Sequence, residues 1–383
     1  MKKLLIYSHD TFGLGNMRRM MAIAEHLTQQ NPELNVLMLS GSNAIQAFQL
    51  PCRVDYVKLP CLHRDVNGRY DAKSLNMSLK SIIRLRSNLI LSAALDFKPD
   101  LIIVDKKPFG VSNELEPVLS ILRRRTNPPR MVLLLRDILD DARATQDIWS
   151  RNGYHEAIDR YYEAVLVVGD QNVYDLGKEY NFPVSTRART RYCGCIQKPN
   201  DPPLAPETES HPSVLVTSGG GEDGEQLIQT FIDCMSSKTP DFKSLIYLGP
   251  ELSEKKAAKY TTQVQSNPTI TCHRFTNQMS QHMSQAKVLV TMGGYNTIYE
   301  GLSLQKSMVV VPRTKPSREQ EIRAQRLSEM GFLECLMPKE LTTDRLRSSI
   351  DNTLHLPLRS LPKINFGGLN SVNQEIRALC GVA

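Results

Sequence analysis

The stretch Val288–Phe332, VLVTMGGYNTIYEGLSLQKSMVVVPRTKPSREQEIRAQRLSEMGF, decides the fold. Val288, Leu289 and Val290 form a short apolar run of the kind buried in a parallel sheet. Gly293 and Gly294 end it with a turn that brings bare backbone close to whatever lies above. Asn296 or Thr297 is placed to cap a helix whose apolar side carries Ile298, Leu302 and Leu304. A second buried strand, Met308 to Val311, stops at Pro312. Ser317 and Gln320 have capping-box spacing for a further helix that contains Arg323, Leu327 and Met330 and closes at Gly331. The order is strand, glycine turn, helix, strand, loop, helix.

A glycine turn that opens a helix presents N–H groups and the positive end of the helix dipole, which suits phosphate. Gly293 and Gly294 are equally explained as ordinary turn residues. Glu300 follows where a carboxylate can accept from ribose hydroxyls, and Glu319 and Gln320 begin the next helix where they can face the same ligand. Each also has a plain structural account: a solvated helix residue, a favourable partner for the helix dipole, and the capping partner of Ser317.

Taken in order, Gly-Gly-Tyr-Asn-Thr, Glu300, a strand ending Val-Pro-Arg, Glu-Gln-x-x-Arg-Ala-x-x-Leu and a closing glycine resemble the donor half of MurG-like glycosyltransferases of the GT-B superfamily. The resemblance implies an α/β fold of two Rossmann-like, doubly wound domains facing across a cleft. It also implies that Glu300 holds the nucleotide ribose and Gln320 the donor sugar.

Length and composition agree with two domains. The 383 residues are 41% hydrophobic and 23% charged, enough for two independent cores. No apolar run reaches the roughly 18 residues of a membrane helix, and MKKLLIYSHD turns polar too soon for a signal peptide. The expectation is a cytoplasmic protein. The eight cysteines are scattered, with one Cys193-Gly-Cys195, and read as reduced thiols rather than as a disulfide frame or a zinc site. The net charge of +7 is compatible with nucleic acid, an anionic membrane surface or a phosphorylated substrate. Few aromatics accompany the basic residues and no nucleic-acid module is recognisable, so no nucleic-acid partner is expected; Arg123, Arg124 and Arg125 read as a solvated helix end.

The N-terminal domain, 1–197, begins with a strand at Leu4 to Tyr7, then the loop Ser8-His9-Asp10-Thr11-Phe12-Gly13-Leu14-Gly15-Asn16 and a helix around Met20 to Leu27. Further strands are expected at 35–39, 54–59, 101–104, 131–135 and 165–168, with helices at 42–49 and 75–97. Ligands of such a sheet lie beyond the carboxyl ends of its strands, where His9 and Asp10, Asp105 and Lys106, Arg136 and Asp137, and Gly169 and Asp170 fall. His9 beside Asp10 can act as a general base, or both can simply bond the loop backbone. Asp137, Asp140 and Asp141 are read as salt-bridged loop residues in preference to a magnesium site, and neither metal nor cofactor is expected. The helix carrying Ile82, Leu85, Leu89 and Ile90 between Lys80, Arg84 and Arg86 has more apolar residues than one buried face needs. It is a core helix or, alternatively, a peripheral contact with the inner membrane surface.

In the MurG-like pattern the first glycine loop ends in a histidine at the acceptor site, and here that position is Asn16. An amide cannot take a proton, so the base assignment moves to His9 or Asp10. Gly13, Gly15, Asn16, Arg136 and Asp137 are then expected around the acceptor, an unidentified glycan, lipid-linked or small molecule.

The segment 198–212, rich in proline, is a linker. The second domain, 213–357, opens with a strand at 213–217 and the loop Ser218-Gly219-Gly220-Gly221-Glu222-Asp223-Gly224, then a helix through Leu227, Ile228 and Phe231. Strands follow at 245–248 and 269–275, and 333–337 and 342–354 are a strand-like piece and a helix. The MurG-like loop contacts the donor phosphate with a serine; here Gly219, Gly220 and Gly221 leave that to backbone N–H groups. Phe275 to Met279 would border the nucleobase. The tail, 358–383, has a short helix at 370–379 that in the GT-B pattern returns to the first domain. The expected function is inverting, metal-independent transfer of a hexose or N-acetylhexosamine from a nucleotide-sugar, UDP-linked, to an acceptor hydroxyl. The alternatives are a nucleotide-sugar 2-epimerase of the same fold and a binding protein without catalysis.

Overall fold

The computed structural model describes residues 2–9, 15–42, 45, 49–64, 70–197, 214–220, 223–237, 241–355 and 363–381. Asp10, Gly13, Gly221, the predicted linker and most of the predicted helix 42–49 lie outside them. The chain divides into two units, Met1–Ile196 with Ile364–Ala383, and Gln197–Lys363.

The first unit comprises β1 (Lys3–Tyr7), α1 (Gly15–Gln30), β2 (Asn35–Ser40), β3 (Val54–Lys58), β4 (Leu62–Arg64), β5 (Tyr70–Ala72), α2 (Leu79–Phe97), β6 (Leu101–Asp105), α3 (Glu116–Arg123), β7 (Arg130–Arg136), α4 (Ala142–Arg151), α5 (Tyr154–Tyr161), β8 (Ala164–Val168), α6 (Leu176–Glu179), α7 (Val184–Arg189) and β9 (Thr190–Tyr192). Its main sheet has the order β3-β2-β1-β6-β7-β8-β9, and every pairing in it is parallel. β4 and β5 pair antiparallel beside it. Every residue of β6 and of β8 is buried, which is why 101–104 and 164–168 read as unbroken apolar runs.

The long helix begins at Leu79, not at Leu75. Ser78 caps it by accepting from the Ser81 N–H at 3.3 Å, and Leu75 stays 47% exposed in the approach. Lys98, in the left-handed region at φ 51°, and Pro99 end it. Ile82, Ile90 and Ala94 are buried, so α2 packs as a core helix. After the second unit the chain returns to the first as α14 (Gly368–Leu379). The Asn365 carbonyl accepts from Cys195 N–H at 2.7 Å, Gly368 packs on the Cys195 carbonyl, and the Asn373 side chain accepts from Asn31 at the end of α1 at 2.9 Å.

The second unit comprises β10 (Val214–Thr217), α8 (Glu225–Ser237), β11 (Ser244–Tyr247), α9 (Glu254–Val264), β12 (Ile270–His273), α10 (Met279–Gln285), β13 (Val288–Thr291), α11 (Tyr295–Ser303), β14 (Ser307–Val310), α12 (Glu319–Glu329), β15 (Glu334–Cys335) and α13 (Thr343–His355). The sheet order β12-β11-β10-β13-β14-β15 is again wholly parallel. Val214, Val216, Ile246, Val288, Val290 and Val309 face α8, α9 and α13 through one core.

Two predicted caps are corrected. Gly294 is the N-cap of α11, in extended conformation at φ −65° and ψ 137°, which puts Asn296 and Thr297 inside the first turn. At α12 the capping box does not form: Ser317 Oγ accepts from the Glu319 N–H at 3.4 Å, and the Gln320 side chain accepts instead from the Arg313 N–H at 3.2 Å. The Arg313 N–H thus occupies the side-chain oxygen that the capping box would need. The predicted close at Gly331 holds, with φ 81° and the paired bonds Phe332 N–H to Leu327 and Gly331 N–H to Ser328, both 2.9 Å.

Candidate active site

In both sheets the strand order reverses beside the unit's first strand, between β1 and β6 and between β10 and β13. Open parallel sheets receive ligands at such a switch point, beyond the carboxyl ends.

In the second unit, Thr217 and Thr291 are register partners at that edge, and Thr291 Oγ1 donates to the Thr217 carbonyl at 3.0 Å. Two glycine turns therefore leave the sheet side by side. In the first, Gly219 sits at φ 71°, and a Cβ on Gly224 would come 2.0 Å from that of Ser218, so the turn closes only around a glycine. In the second, a Cβ on Gly293 would lie 2.7 Å from the Gln320 carbonyl oxygen. Glycine at 293 thus brings the turn against the start of α12. Arg323, fully buried, donates to the Gly293 carbonyl at 2.7 Å and lies 5.7 Å from the Tyr295 ring centroid. The turn then feeds α11, whose positive dipole end meets the edge of the sheet.

Charged side chains brace these turns. Arg313 donates to Asp223 of the first loop at 2.7 Å and lies 3.6 Å from Glu319, which is 4.0 Å from Arg323. The Glu319 carboxylate is thus engaged with two arginines. Glu300 is half-buried on α11 and accepts from the Ser280 hydroxyl of α10. Phe275, 43% exposed, follows β12, and Met279 opens α10 half-buried. Tyr247 and His282 have ring centroids 5.3 Å apart in the same neighbourhood.

In the first unit the residues after β1 meet those after β6. His9 is 1% exposed, its N–H donates to Asp105 at 3.3 Å, and neither ring nitrogen has a hydrogen-bond partner among the described residues. Burial first, then Lys106, Lys107, Arg86 and Arg136, hold its imidazole well below the ordinary histidine range, so it stays neutral. Asn16 donates to the His9 carbonyl at 2.9 Å and accepts from Arg19 at 3.1 Å, using both ends of its amide on the loop and α1. Arg19 and Asp105, both buried, form an ion pair at 3.1 Å.

Behind this pair a second buried group ties β1 to α2. Arg86 donates to both oxygens of Glu114 at 2.5 and 2.7 Å, and the Tyr7 hydroxyl donates to Glu114 at 2.6 Å while accepting from the Val111 N–H at 2.9 Å. Gly15 is the first residue of α1, and Arg136 ends β7 half-buried. Asp137 is buried, with the Cβ position of Gly169 only 2.6 Å from its own Cβ. Asp137, Asp140 and Asp141 accept from backbone N–H groups at Ile138, Asp141, and Arg143 and Ala144 respectively.

Sequence reasoning missed the buried Arg19, Arg86 and Arg323 as structural cations, the bond from Ser280 to Glu300 and the brace from Arg313 to Asp223. For the arginines a signal existed, since Arg86 interrupts the inward row Ile82, Ile90, Ala94 at helical spacing.

Two parallel α/β units with ligand edges of this kind define the GT-B class of folds. Solved structures agree: over 100% of this chain and 99% of its own, the calicheamicin glycosyltransferase CalG4 matches with a TM-score of 0.62 at 14% identity. MurG of Acinetobacter baumannii matches with a TM-score of 0.57 at 12% identity, over 99% of this chain and 95% of its own. Residues 213–366 match the family described as Glycosyltransferase family 28 C-terminal domain. A UDP-N-acetylglucosamine–N-acetylmuramyl-(pentapeptide) pyrophosphoryl-undecaprenol N-acetylglucosamine transferase of Sulfurihydrogenibium is 23% identical over 152 residues, 39% of this chain and 41% of the relative. The NDP-glycosyltransferase YjiC of Bacillus licheniformis is 35% identical over 71 residues, 18% of this chain and 17% of the relative. The chain thus spans less than half the length of these curated relatives where it matches them.

Proposed function

We propose that the protein is a glycosyltransferase that moves a hexose or N-acetylhexosamine from a UDP-sugar to an acceptor hydroxyl by single displacement with inversion. The observation that carries this reading is the pair of glycine turns leaving β10 and β13 side by side, with the start of α11 between the second turn and Glu300. Backbone N–H groups around Gly219, Gly220, Gly293 and Gly294, with the α11 dipole, take the charge of the diphosphate without needing a metal ion. Glu300 accepts from ribose hydroxyls, Gln320 contacts the sugar, and Phe275 and Met279 border the base. The matched family 28 domain, and relatives named for NDP- and UDP-linked donors, support the choice of donor.

On the acceptor side the neutral His9 imidazole takes the hydroxyl proton as the oxygen attacks the anomeric carbon. The bond from that carbon to the diphosphate breaks, and nucleoside diphosphate leaves. Burial first, then Lys106, Lys107, Arg86 and Arg136, make His9 a weaker base that is fully neutral and ready to accept. Gly15, Asn16 and Asp137 shape this edge; the expected Gly13 lies outside the described residues. Asp10 is the other candidate base. The acceptor is presented in the cytoplasm, at the inner membrane surface if it is lipid-linked; no helix among the described residues is long and apolar enough to cross a membrane.

The engagement of Asn16 within its own unit favours one second reading, a nucleotide-sugar-binding protein without catalysis. Release of free UDP from a panel of UDP-sugars, measured with and without candidate acceptors, separates the two. Acceptor-dependent release that His9→Ala lowers at least a hundredfold fits the transferase. Binding without release under any acceptor fits the second reading, and near-normal turnover in His9→Ala removes His9 as base.

A further inference from the structure

We propose that Ser280 is a positioning residue for Glu300, and that through it the segment bordering the nucleobase and the carboxylate receiving the ribose act as one recognition unit. This rests on the donor reading given above and adds to it a residue that reading does not require.

Ser280 directly follows Met279, in the second position of α10, and its hydroxyl donates to Oε1 of Glu300 on α11. A glutamate side chain half-buried at a helix surface has three torsions to order before its carboxylate can meet a ligand. Fixing one oxygen on Ser280 removes that freedom and leaves Oε2 and the remaining lone pairs for two donors. A ribose diol supplies two donors. The same bond works in the other direction. α10 has seven residues, too few to be stable alone, and bonds that hold it to the α11 region include two from side chains. One is Ser280 on Glu300; the other is the Lys306 ammonium donating to the Ser284 carbonyl at 2.5 Å. Placement of the Phe275–Met279 segment is therefore coupled to the orientation of Glu300. Loss of the hydroxyl loosens both, and the loss is felt most by a ligand that carries ribose hydroxyls as well as the base.

The test is calorimetric titration of UDP and 2′,3′-dideoxyuridine diphosphate into wild type, Ser280→Ala, Ser280→Thr and Glu300→Ala. Ser280→Ala should weaken UDP about tenfold, the scale of a hydrogen bond to a charged group, and weaken the dideoxy compound less than about twofold. Ser280→Thr, which keeps the hydroxyl, should return UDP affinity to within about twofold of wild type. Glu300→Ala should bind the two compounds about equally. Wild-type UDP affinity in Ser280→Ala, beside a clear loss in Glu300→Ala, overturns the role of Ser280 and leaves the donor reading standing. An equal loss for both compounds in Ser280→Ala also overturns it, since that is what a merely structural bond predicts. Failure of wild type to bind UDP at all overturns the donor reading itself and this inference with it.

Discussion

At the switch point of the N-terminal unit the chain after β1 is held by buried charge, Arg19 on Asp105 and Arg86 on Glu114, and the imidazole beside them is closed off from water. At the switch point of the C-terminal unit the chain after β10 and β13 is held by the absence of side chains. Glycines there let backbone approach backbone; of the braces around them, Arg313 on Asp223 and Ser280 on Glu300 are half-exposed, and one cation, Arg323 on the Gly293 carbonyl, is buried. Identical local topology thus supports two kinds of surface. Buried ion pairs fix one geometry, and burial, with the cations around it, holds the neighbouring imidazole neutral, as a general base needs. Bare glycine turns leave dipoles available to a diphosphate and, at Gly224 and Gly293, leave no room for an added carbon.

The contrast breaks most visibly at Glu114. Glu114→Gln leaves the Arg86 charge, 1% exposed, without its carboxylate, and should cost about 3–5 kcal/mol in urea unfolding. A loss below about 1 kcal/mol would show that the pair is no more than a surface-type contact.

Next in size is Gly293→Ala, whose new carbon would meet the Gln320 carbonyl oxygen at 2.7 Å. It should cost about 1–3 kcal/mol and abolish stabilisation by nucleotide. Gly294→Ala, with nothing within 4 Å of the added carbon, should cost less. Equal losses at the two positions would deny the turn its close approach to α12.

The acid limb sharpens the N-terminal half of the comparison. His9 is held neutral when folded and titrates near its ordinary value of about 6.5 when unfolded. Below about pH 6.5 the unfolded chain binds a proton that the folded one refuses, so stability falls as pH falls, by up to about 1.4 kcal/mol per unit, until the folded pKa is reached. His9→Gln should flatten urea-derived stability between about pH 5 and 6.5 by that slope, and leave the smaller contributions of His26 and His155, which burial shifts the same way. An unchanged slope would mean that folding does not hold the His9 imidazole neutral.

Smallest is the exposed pair Arg189–Asp159, 2.8 Å apart but 34% and 41% exposed, where Asp159→Asn should cost less than about 1 kcal/mol.

Much of this was legible in the sequence because strand, glycine turn and helix leave strong local marks. The apolar runs at 101–104, 165–168 and 288–290 became buried strands within a residue of their expected ends. Caps were less legible, since a cap depends on where the preceding turn points the chain: Gly294 displaced Asn296 and Thr297, and Ser78 displaced the expected start at Leu75. The candidate site divided in the same way. Glu300, Gln320 and the glycines belong to one local stretch and could be named together. Arg19, Arg86 and Arg323 find their partners 86, 28 and 30 residues away, and only a cation at an inward helix position could have announced them. Ser280 gave no sign, because a serine early in a helix is ordinary.

The most direct measurement is thermal unfolding of wild type and Glu300→Ala against a panel of nucleotides and nucleotide-sugars. A ligand at a hundred times its dissociation constant adds about 2.7 kcal/mol to the folded state. A UDP-linked sugar should raise the wild-type midpoint and leave that of Glu300→Ala nearly still. A panel in which no nucleotide moves the wild type, or in which Glu300→Ala responds as fully as the wild type, contradicts the account.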